Sequence, residues 1–565
     1  MPTPLDRRYF LRFILSAAGG FAVASCGPAT PATPPAAPTE APAAAKPAAP
    51  TPAAAPVTAA PATTVPANVA TAVPAATTAA GAPKSGGMLV IADRADNKTV
   101  DPAYISDTPS RLIGRAIYDT LVDVDEQGNI IPVLAESWET PDPKTYVLHV
   151  KQGLKFSDGT EFDAAAVKFN IDRHLDPKTA SKQRGVLLSV DSIDVPDTYT
   201  VRFHLKAPYA AFLSVFFDRV GFIASPTAVQ KWGDKDYGLH PVGVGPFRLV
   251  DYKPDQQYVV ERNPDYWDKG KPYLDGITWK AIPVDATRLV ELRSGGAQMA
   301  EDLPLQDVER MRSMPEFMLS EKSGARFYRS RWNMDDQFAS SLEFRQALNW
   351  LIDREAIHKA VFFDTGTIGY DPFLPGTPFF DATYKPYTRD LDKAKALLDK
   401  SSAPSPRAFT MHPDASSVGQ KLTQIFQANL AEVDINVDIQ NEDDAAWQAR
   451  LDKGDWVLEL RSTSWFGWRP DPAQYAGTLW HSASTYYSTG KLKDPDTDKL
   501  IEQGEAEYDP AKRYQVYRQL ADKLNELAST TFFQLGADFK GISPKVHGFV
   551  HMPDIITRYK TISLE

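Results

Sequence analysis

The sequence predicts a mixed α/β body of several lobes. Three observations carry that expectation. At 565 residues the chain is too long for one ordinary core. From residue 84 onward, short apolar or alternating runs interleave with segments of helical apolar spacing. Residues 1–83 show neither pattern, so they stand apart from the body.

Residues 1–26 read as an export signal. Arg7, Arg8 and Arg12 precede an apolar run of small residues from Phe13 to Ala24, too short for a comfortable permanent span. Asp6-Arg7-Arg8-Tyr9-Phe10-Leu11-Arg12 resembles the twin-arginine export motif, differing at its first position and conservatively at its last. Val23-Ala24-Ser25-Cys26 resembles a lipobox with Val in place of the commoner Leu. That resemblance implies that Cys26 is diacylated and becomes the new N-terminus; a plain cleaved signal is the alternative. Two acyl chains hold a protein on a membrane far better than one. Cys26 is the single cysteine, which excludes intramolecular disulfides and Cys-based zinc knuckles.

Residues 27–83 are almost entirely Ala, Pro and Thr. Such a segment cannot bury enough apolar surface to offset its ordering entropy. Proline biases it toward extended geometry, with a maximal reach of roughly 170 Å at about 3.1 Å per residue. The expected role is a stand-off leash between the membrane and a folded receptor.

The body opens with Met88-Leu89-Val90-Ile91-Ala92, a run of strand length. Arg111 to Leu121 has helical spacing. Tyr146–Val150 and Thr200–Leu205 alternate as strands do, each entered through a Pro/Asp-rich turn. Phe344 to Lys359, Asp390 to Lys400, Ser417 to Val433 and Lys512 to Ala528 read as helices.

The net charge of −11, with no Lys/Arg cluster, argues against a nucleic-acid partner. Asp123 to Gly128 suggests a calcium loop, but its twelfth position is Leu134 where a bidentate Glu is required. A hairpin turn fits better. His547 and His551 fall in a strand context, which would hold them about 13 Å apart at about 3.3 Å per residue, beyond one metal ion. No cofactor or metal is expected. There is no Walker-type phosphate loop, no Gly-x-Ser-x-Gly elbow and no His-Glu-x-x-His helix, so no catalytic residue is assigned.

A series of motifs then runs through the body in order. It includes Val100-Asp101-Pro102, Tyr118-Asp119-Thr120-Leu121-Val122 and Pro132-Val133-Leu134-Ala135-Glu136-Ser137-Trp138. It continues with Gly153-Leu154-Lys155-Phe156-Ser157-Asp158-Gly159-Thr160, Val244-Gly245-Pro246-Phe247 and Glu261-Arg262-Asn263-Pro264-Asp265-Tyr266-Trp267. Phe344-Arg345-Gln346-Ala347-Leu348 and Ile352-Asp353-Arg354-Glu355-Ala356-Ile357 complete it. From about Gly86 to Glu565 the chain resembles the extracytoplasmic solute-binding proteins of ABC importers, family 5, the peptide/nickel class. Most of these motifs are expected to be architectural turns and packing aromatics.

The resemblance implies a two-lobed, periplasmic-binding-protein type II-like α/β fold with an extra small domain on the first lobe. The expected division is lobe I at 84–130, 206–325 and 536–565, the extra subdomain at 131–205, and lobe II at 326–535. Crossings near Arg326–Asn333 and Phe532–Gly536 would form the hinge, with Gly324 and Gly536 beside them.

The matching cleft loop in peptide-binding members carries a Trp and, three residues on, an Asp that grips the ligand amine. Here Trp465 matches the Trp, Trp468 falls at the Asp position, and Asp471 matches a later Asp-Pro pair. The peptide anchor is therefore replaced by an aromatic, which suits stacking on a sugar ring, a base or a cation. The expected ligand-binding residues are Trp465, Trp468, Asp471, Arg469, Trp332 and Asn333, with a rim from Gly366 to Phe380. The implied function is capture of a peptide-like or oligosaccharide-like solute and delivery to ABC permease subunits by a lipid-anchored monomer on the extracytoplasmic face. A lipid-anchored solute sensor and a surface glycoside hydrolase are the alternatives.

Overall fold

The structure, a computed structural model, describes residues 83–95, 97–413, 416–442, 444–462, 469–484 and 492–565. The export signal with Cys26, nearly all of the Ala/Pro/Thr segment, and Trp465 and Trp468 lie outside the described residues. No helix among the described residues is long and apolar enough to cross a membrane.

The first apolar run forms the strand Met88–Asp93, flanked in parallel by Gly276–Ala281 and Met299–Ala300. Around it a nine-stranded sheet builds up. On one side follow Gln257–Arg262 and Phe247–Lys253, both antiparallel. On the other side come Phe532–Ile542, then Met318–Trp332, then Leu458–Ser462, with Thr367–Ile368 also pairing Phe532–Ile542. The long strand Met318–Trp332 pairs with Phe532–Ile542 along most of its length and with Leu458–Ser462 at its far end.

The register of that long pair slips between Ser323 and Arg326. Gly324 there has φ +83°, a conformation that an L side chain rarely adopts. Gly536 serves differently. It needs no left-handed backbone, but a Cβ on it would stand 2.7 Å from Cε2 of Tyr328.

A separate antiparallel sheet runs Ala135–Asp142, Thr145–Val150, Thr200–Leu205, Val190–Asp197. The alternation expected for Thr200–Leu205 is present: Val201, Phe203 and Leu205 are buried. The helix Ala164–Leu175 packs on this sheet, started by Asp163, whose side chain accepts from the Ala166 N–H.

Helix ends depart from the sequence reading for local reasons. The first helix is Thr108–Ile117, not Arg111–Leu121. Asp107 caps it by accepting from the Ser110 N–H, Pro109 fits its first turn, and extended backbone at Tyr118 ends it. The helix expected over Phe344–Lys359 is two, Leu342–Leu351 and Arg354–Phe362. Ile352 is extended, and Asp353 caps the second helix through the Ala356 N–H. The Lys512–Ala528 pattern starts earlier, as Pro510–Glu526, capped by Asp509.

Among the described residues, the three largest apolar cores divide most of the body. Leu89, Ile91, Ile113, Phe247 and Trp279 belong to one. Trp332, Phe344, Leu348 and Phe426 belong to another. The third joins Leu148 and Phe203 of the small sheet, through Phe212 and Phe216, to Tyr475, Tyr517 and Phe532.

The sequence motifs become joints between distant segments. The Asp119 carboxylate accepts from the Tyr266 hydroxyl at 2.9 Å and the Trp267 indole N–H at 2.7 Å. Asp101 takes both arms of Arg173, at 2.8 and 2.6 Å. Gly159, at φ +84°, closes the turn in which the Phe156 N–H donates to the Thr160 carbonyl. Asp123 to Asn129 is a hairpin between Val122–Val124 and Ile130–Pro132. His547 pairs with Glu565, while His551 lies between Ser320 and Asp538, so the two rings have separate partners.

Asp119→Ala leaves one buried and one half-buried donor without an acceptor. It should lower unfolding free energy by about 2–4 kcal/mol, and Asp119→Asn by less, read from urea denaturation. An alanine variant as stable as the parent would remove this joint from the account.

Candidate functional site

Two stretches far apart in sequence meet across the body. The first runs from Tyr209 to Gly221. Its aromatic run folds as tight 3-10 turns, Phe212–Phe217 and Arg219–Gly221, because the rings must pack against the small sheet. Phe212 meets Phe203 at 5.3 Å and Phe216 edge-on at 5.1 Å. Asp218 stands between the two turns.

The second stretch is Arg469 to Trp480. Asp471 accepts from the Ala473 N–H at 3.0 Å, just ahead of the helix Ala473–Trp480. Its carboxylate is also gripped by both arms of Arg513, one at 2.6 Å. Asp471 is thereby a structural anchor whose oxygens are already engaged.

Polar contacts tie the two sides together. Arg469 Nη1 lies 3.1 Å from Asp218 Oδ2, and its guanidinium sits 5.5 Å from the Phe217 ring centre. The Gln474 amide donates to the Ser214 carbonyl at 2.7 Å. The Ala210 N–H donates to the Glu505 carbonyl at 2.7 Å. The Tyr508 hydroxyl donates to the Pro143 carbonyl at 2.8 Å and lies 3.2 Å from the Tyr146 hydroxyl.

A cavity of about 320 Å³ opens along this seam. Gln127 and Asn129 of the hairpin turn and Ala210 line it from one side; Phe379, Asp471, Tyr508 and Arg513 line it from the other. A second cavity of about 310 Å³ lies at the far end of the strand Met318–Trp332, between Arg329, Trp332, Trp480 and Lys493. Both are at the small end of the range for ligand pockets.

The expected site residues separate in this geometry. Arg469 and Asp471 lie on the seam. Trp332 is 1% exposed and packs edge-on against Phe344 at 6.1 Å, reaching only the wall of the second cavity. Asn333 uses its side-chain amide on the Gly454 and Trp456 carbonyls, each at 2.9 Å. Neither bridges the two stretches; both lock the end of the long strand. Trp465 and Trp468 lie outside the described residues.

Sequence reading missed Arg111, Asp218, Arg219, Gln474 and Glu505. One local signal was present: Arg111 and Arg115, four apart, interrupt an otherwise apolar helix, and both prove buried. Burial would raise the Asp218 carboxyl, but Arg111, Arg219 and Arg469 outweigh it and hold it far below the usual range. Burial pushes Arg219 down to about 10 despite Asp218. Burial, reinforced by Glu502 and Asp471, pushes Glu505 up to about 7.

A carboxyl raised on folding favours the folded state while protonated. Its contribution is complete below its ordinary value of 4.5 and is lost as pH rises through about 7. Glu505→Gln should therefore match the parent at pH 5 and exceed it by about 1–3 kcal/mol at pH 8. Paired denaturant titrations measure this, and a pH-independent gap would rule it out.

Comparison with known proteins places this geometry in a family. The description "Bacterial extracellular solute-binding proteins, family 5 Middle" matches residues 129–487, well over half of the chain. The glutathione-binding protein GsiB of Pectobacterium atrosepticum is 29% identical over 487 residues, covering 84% of this chain and 94% of that protein. Among solved structures, the periplasmic binding protein DppA of Helicobacter pylori, in complex with the peptide STSA, superposes with a TM-score of 0.76 at 26% identity. It covers 85% of this chain and 99% of its own. The binding protein AgaA of A. tumefaciens R10, in complex with agropinic acid, gives a TM-score of 0.75 at 27% identity over 85% and 99% of the two chains. The chain belongs to family 5 of the bacterial extracellular solute-binding proteins, the two-lobed receptors of ABC importers.

Proposed function

We propose that this protein captures a peptide-like solute between its lobes and hands it to the permease subunits of an ABC importer. The observation that carries the reading is the seam itself. Distant stretches of one chain face each other through one shared apolar core, single hydrogen bonds and one ion pair, around a cavity of about 320 Å³. A receptor needs contacts that part and re-form.

The lobes in this proposal are 84–130, 206–325 and 536–565 for the first, with 131–205 attached to it, and 326–535 for the second. The hinge is the register slip at Gly324 and its neighbour strand near Gly536. Glutathione, a peptide and agropinic acid are named for the relatives described above, which supports a peptide-like or small acidic ligand. None of those names supports an oligosaccharide. Anchoring through Cys26 and the Ala/Pro/Thr leash belongs to the same proposal and rests on the sequence motifs alone.

Two measurements test the reading. Small-angle scattering of the purified protein should show a smaller radius of gyration on addition of a solute that also quenches or shifts tryptophan fluorescence. Saturable binding with an unchanged radius would remove the closure mechanism. Cys26→Ser should abolish acyl labelling and shift the protein from the membrane to the soluble fraction while leaving solute affinity unchanged. Unaltered membrane retention would count against the lipid anchor.

A further inference from the structure

The segment from Gly366 to Phe380, expected from the sequence to form a rim, lies against the hinge. Its first residues pair with the return strand just ahead of Gly536, Thr367 opposite Leu535 and Ile368 opposite Gln534. The Gln534 amide also donates to the Thr365 carbonyl at 2.7 Å.

Farther along, the segment is fastened to the helix Pro510–Glu526. The Arg518 guanidinium donates to the Asp371 carboxylate at 2.5 Å and to the Phe379 carbonyl at 3.0 Å. Asp371 also accepts from the Phe373 N–H at 2.9 Å and the Asp381 N–H at 3.0 Å, closing the segment on itself. Phe373 and Phe379 meet the Tyr517 ring edge-on at 5.6 and 5.0 Å. Asp371, Phe373, Leu374 and Phe379 are buried. Close-packed groups transmit displacement instead of absorbing it, so this segment moves with that helix.

Between the two fastenings, Pro375 meets the other crossing strand. A Cβ placed on Gly324 would stand 2.9 Å from each of Pro375 Cβ, Cγ and Cδ. Equal distances to three ring atoms mean that the pyrrolidine covers the bare Cα of residue 324. Carbon atoms prefer a separation of about 3.5–4.0 Å, so only glycine leaves room for the ring. Gly324 also lies inside the slip between Ser323 and Arg326, where the strand pair is free to bend. A stiff ring from the second lobe thus bears on the first lobe at the point about which they turn. The residues that follow, Gly376, Pro378 and Phe379, line the cavity of about 320 Å³.

We propose that Pro375 on Gly324 is the stop that limits how far the lobes turn, with the fastened segment behind it taking the strain. This rests on the hinge placed above at Gly324. Neither residue has to touch solute. Both act as positioning residues, because the angle at which the lobes stop sets the spacing of the walls that a solute meets.

The test is a pair of spin labels, one on each lobe, read as a distance distribution with no solute present. Cys26 is the single cysteine, so full-length Cys26→Ser protein with Gln230→Cys and Lys395→Cys takes labels at two exposed positions only. Pro375→Gly removes the ring and should extend one end of the parent distribution by at least about 2 Å, the scale at which domain rearrangements register. Gly324→Ala puts a Cβ under the ring and should displace the distribution away from that end. Combining the two should cancel most of that displacement. Thermal melts report whether each variant is folded, and Pro375→Gly decides alone if Gly324→Ala is not. A parent distribution that Pro375→Gly leaves unchanged overturns the stop. So does a displacement by Gly324→Ala that persists in full in the double variant, since it would then come from backbone strain at residue 324. One narrow distance shared by the parent and every variant overturns the hinge together with the stop. A failed solute screen bears on the receptor reading and alters none of these outcomes.

Discussion

The backbone ladder between Met318–Trp332 and Phe532–Ile542 is the constraint on which the rest of the structure depends. These strands lie between Met299–Ala300 on one side and Leu458–Ser462 on the other, so they join the two ends of the large sheet. Buried backbone groups must stay paired. A strand pair can therefore bend only where its pairing is already interrupted, and here that is at two slips, between Ser323 and Arg326 and between Tyr328 and Arg329. The surroundings permit little else. A side chain at position 324 would meet the Pro375 ring at 2.9 Å, and one at 536 would meet Tyr328.

Charge reinforces the same ladder. Lys540, on the return strand, is buried between Glu301 and Asp538. Arg326, at the slip, reaches Asp302 at 2.9 Å and Asp538 at 3.6 Å. His551 adds a contact to Asp538 at 3.1 Å. A buried ion network contributes little net stability over an apolar core, but removing one member costs about 3–5 kcal/mol. Its effect here is to fix which residues of the two strands lie opposite each other beside a point where the register has already slipped.

Most of the fold was legible because its signals are local. Asp107, Asp353 and Asp509 each start a helix through their own side chains, and Gly159 closes the turn that the Asp-Gly pair announces. The helix boundaries that differed, at Leu121 and at Lys359, were hidden by continuous apolar spacing across extended residues. The site was less legible because its partners are remote. Tyr266 and Asp119 are 147 residues apart, and Arg513 and Asp471 are 42 apart. Asp471 could be named from its motif, but its role as an acceptor for Arg513 could not. Trp332 drew notice as an aromatic beside a chain crossing. Position cannot tell an aromatic facing a groove from one filling a core, and the edge-on contact with Phe344 does.

The two charged clusters differ in one respect that bears on how the protein works. Around Lys540 and Arg326 stand the carboxyls of Glu301, Asp302 and Asp538, and burial raises the Glu301 carboxyl to about 8, so that it can take up a proton. Around Asp218, bases outnumber the acid. The first cluster can adjust its charge internally by taking up protons. The second cannot, since arginine stays protonated throughout the working range and Asp218 is held ionised by its neighbours. Its imbalance therefore persists at any working pH.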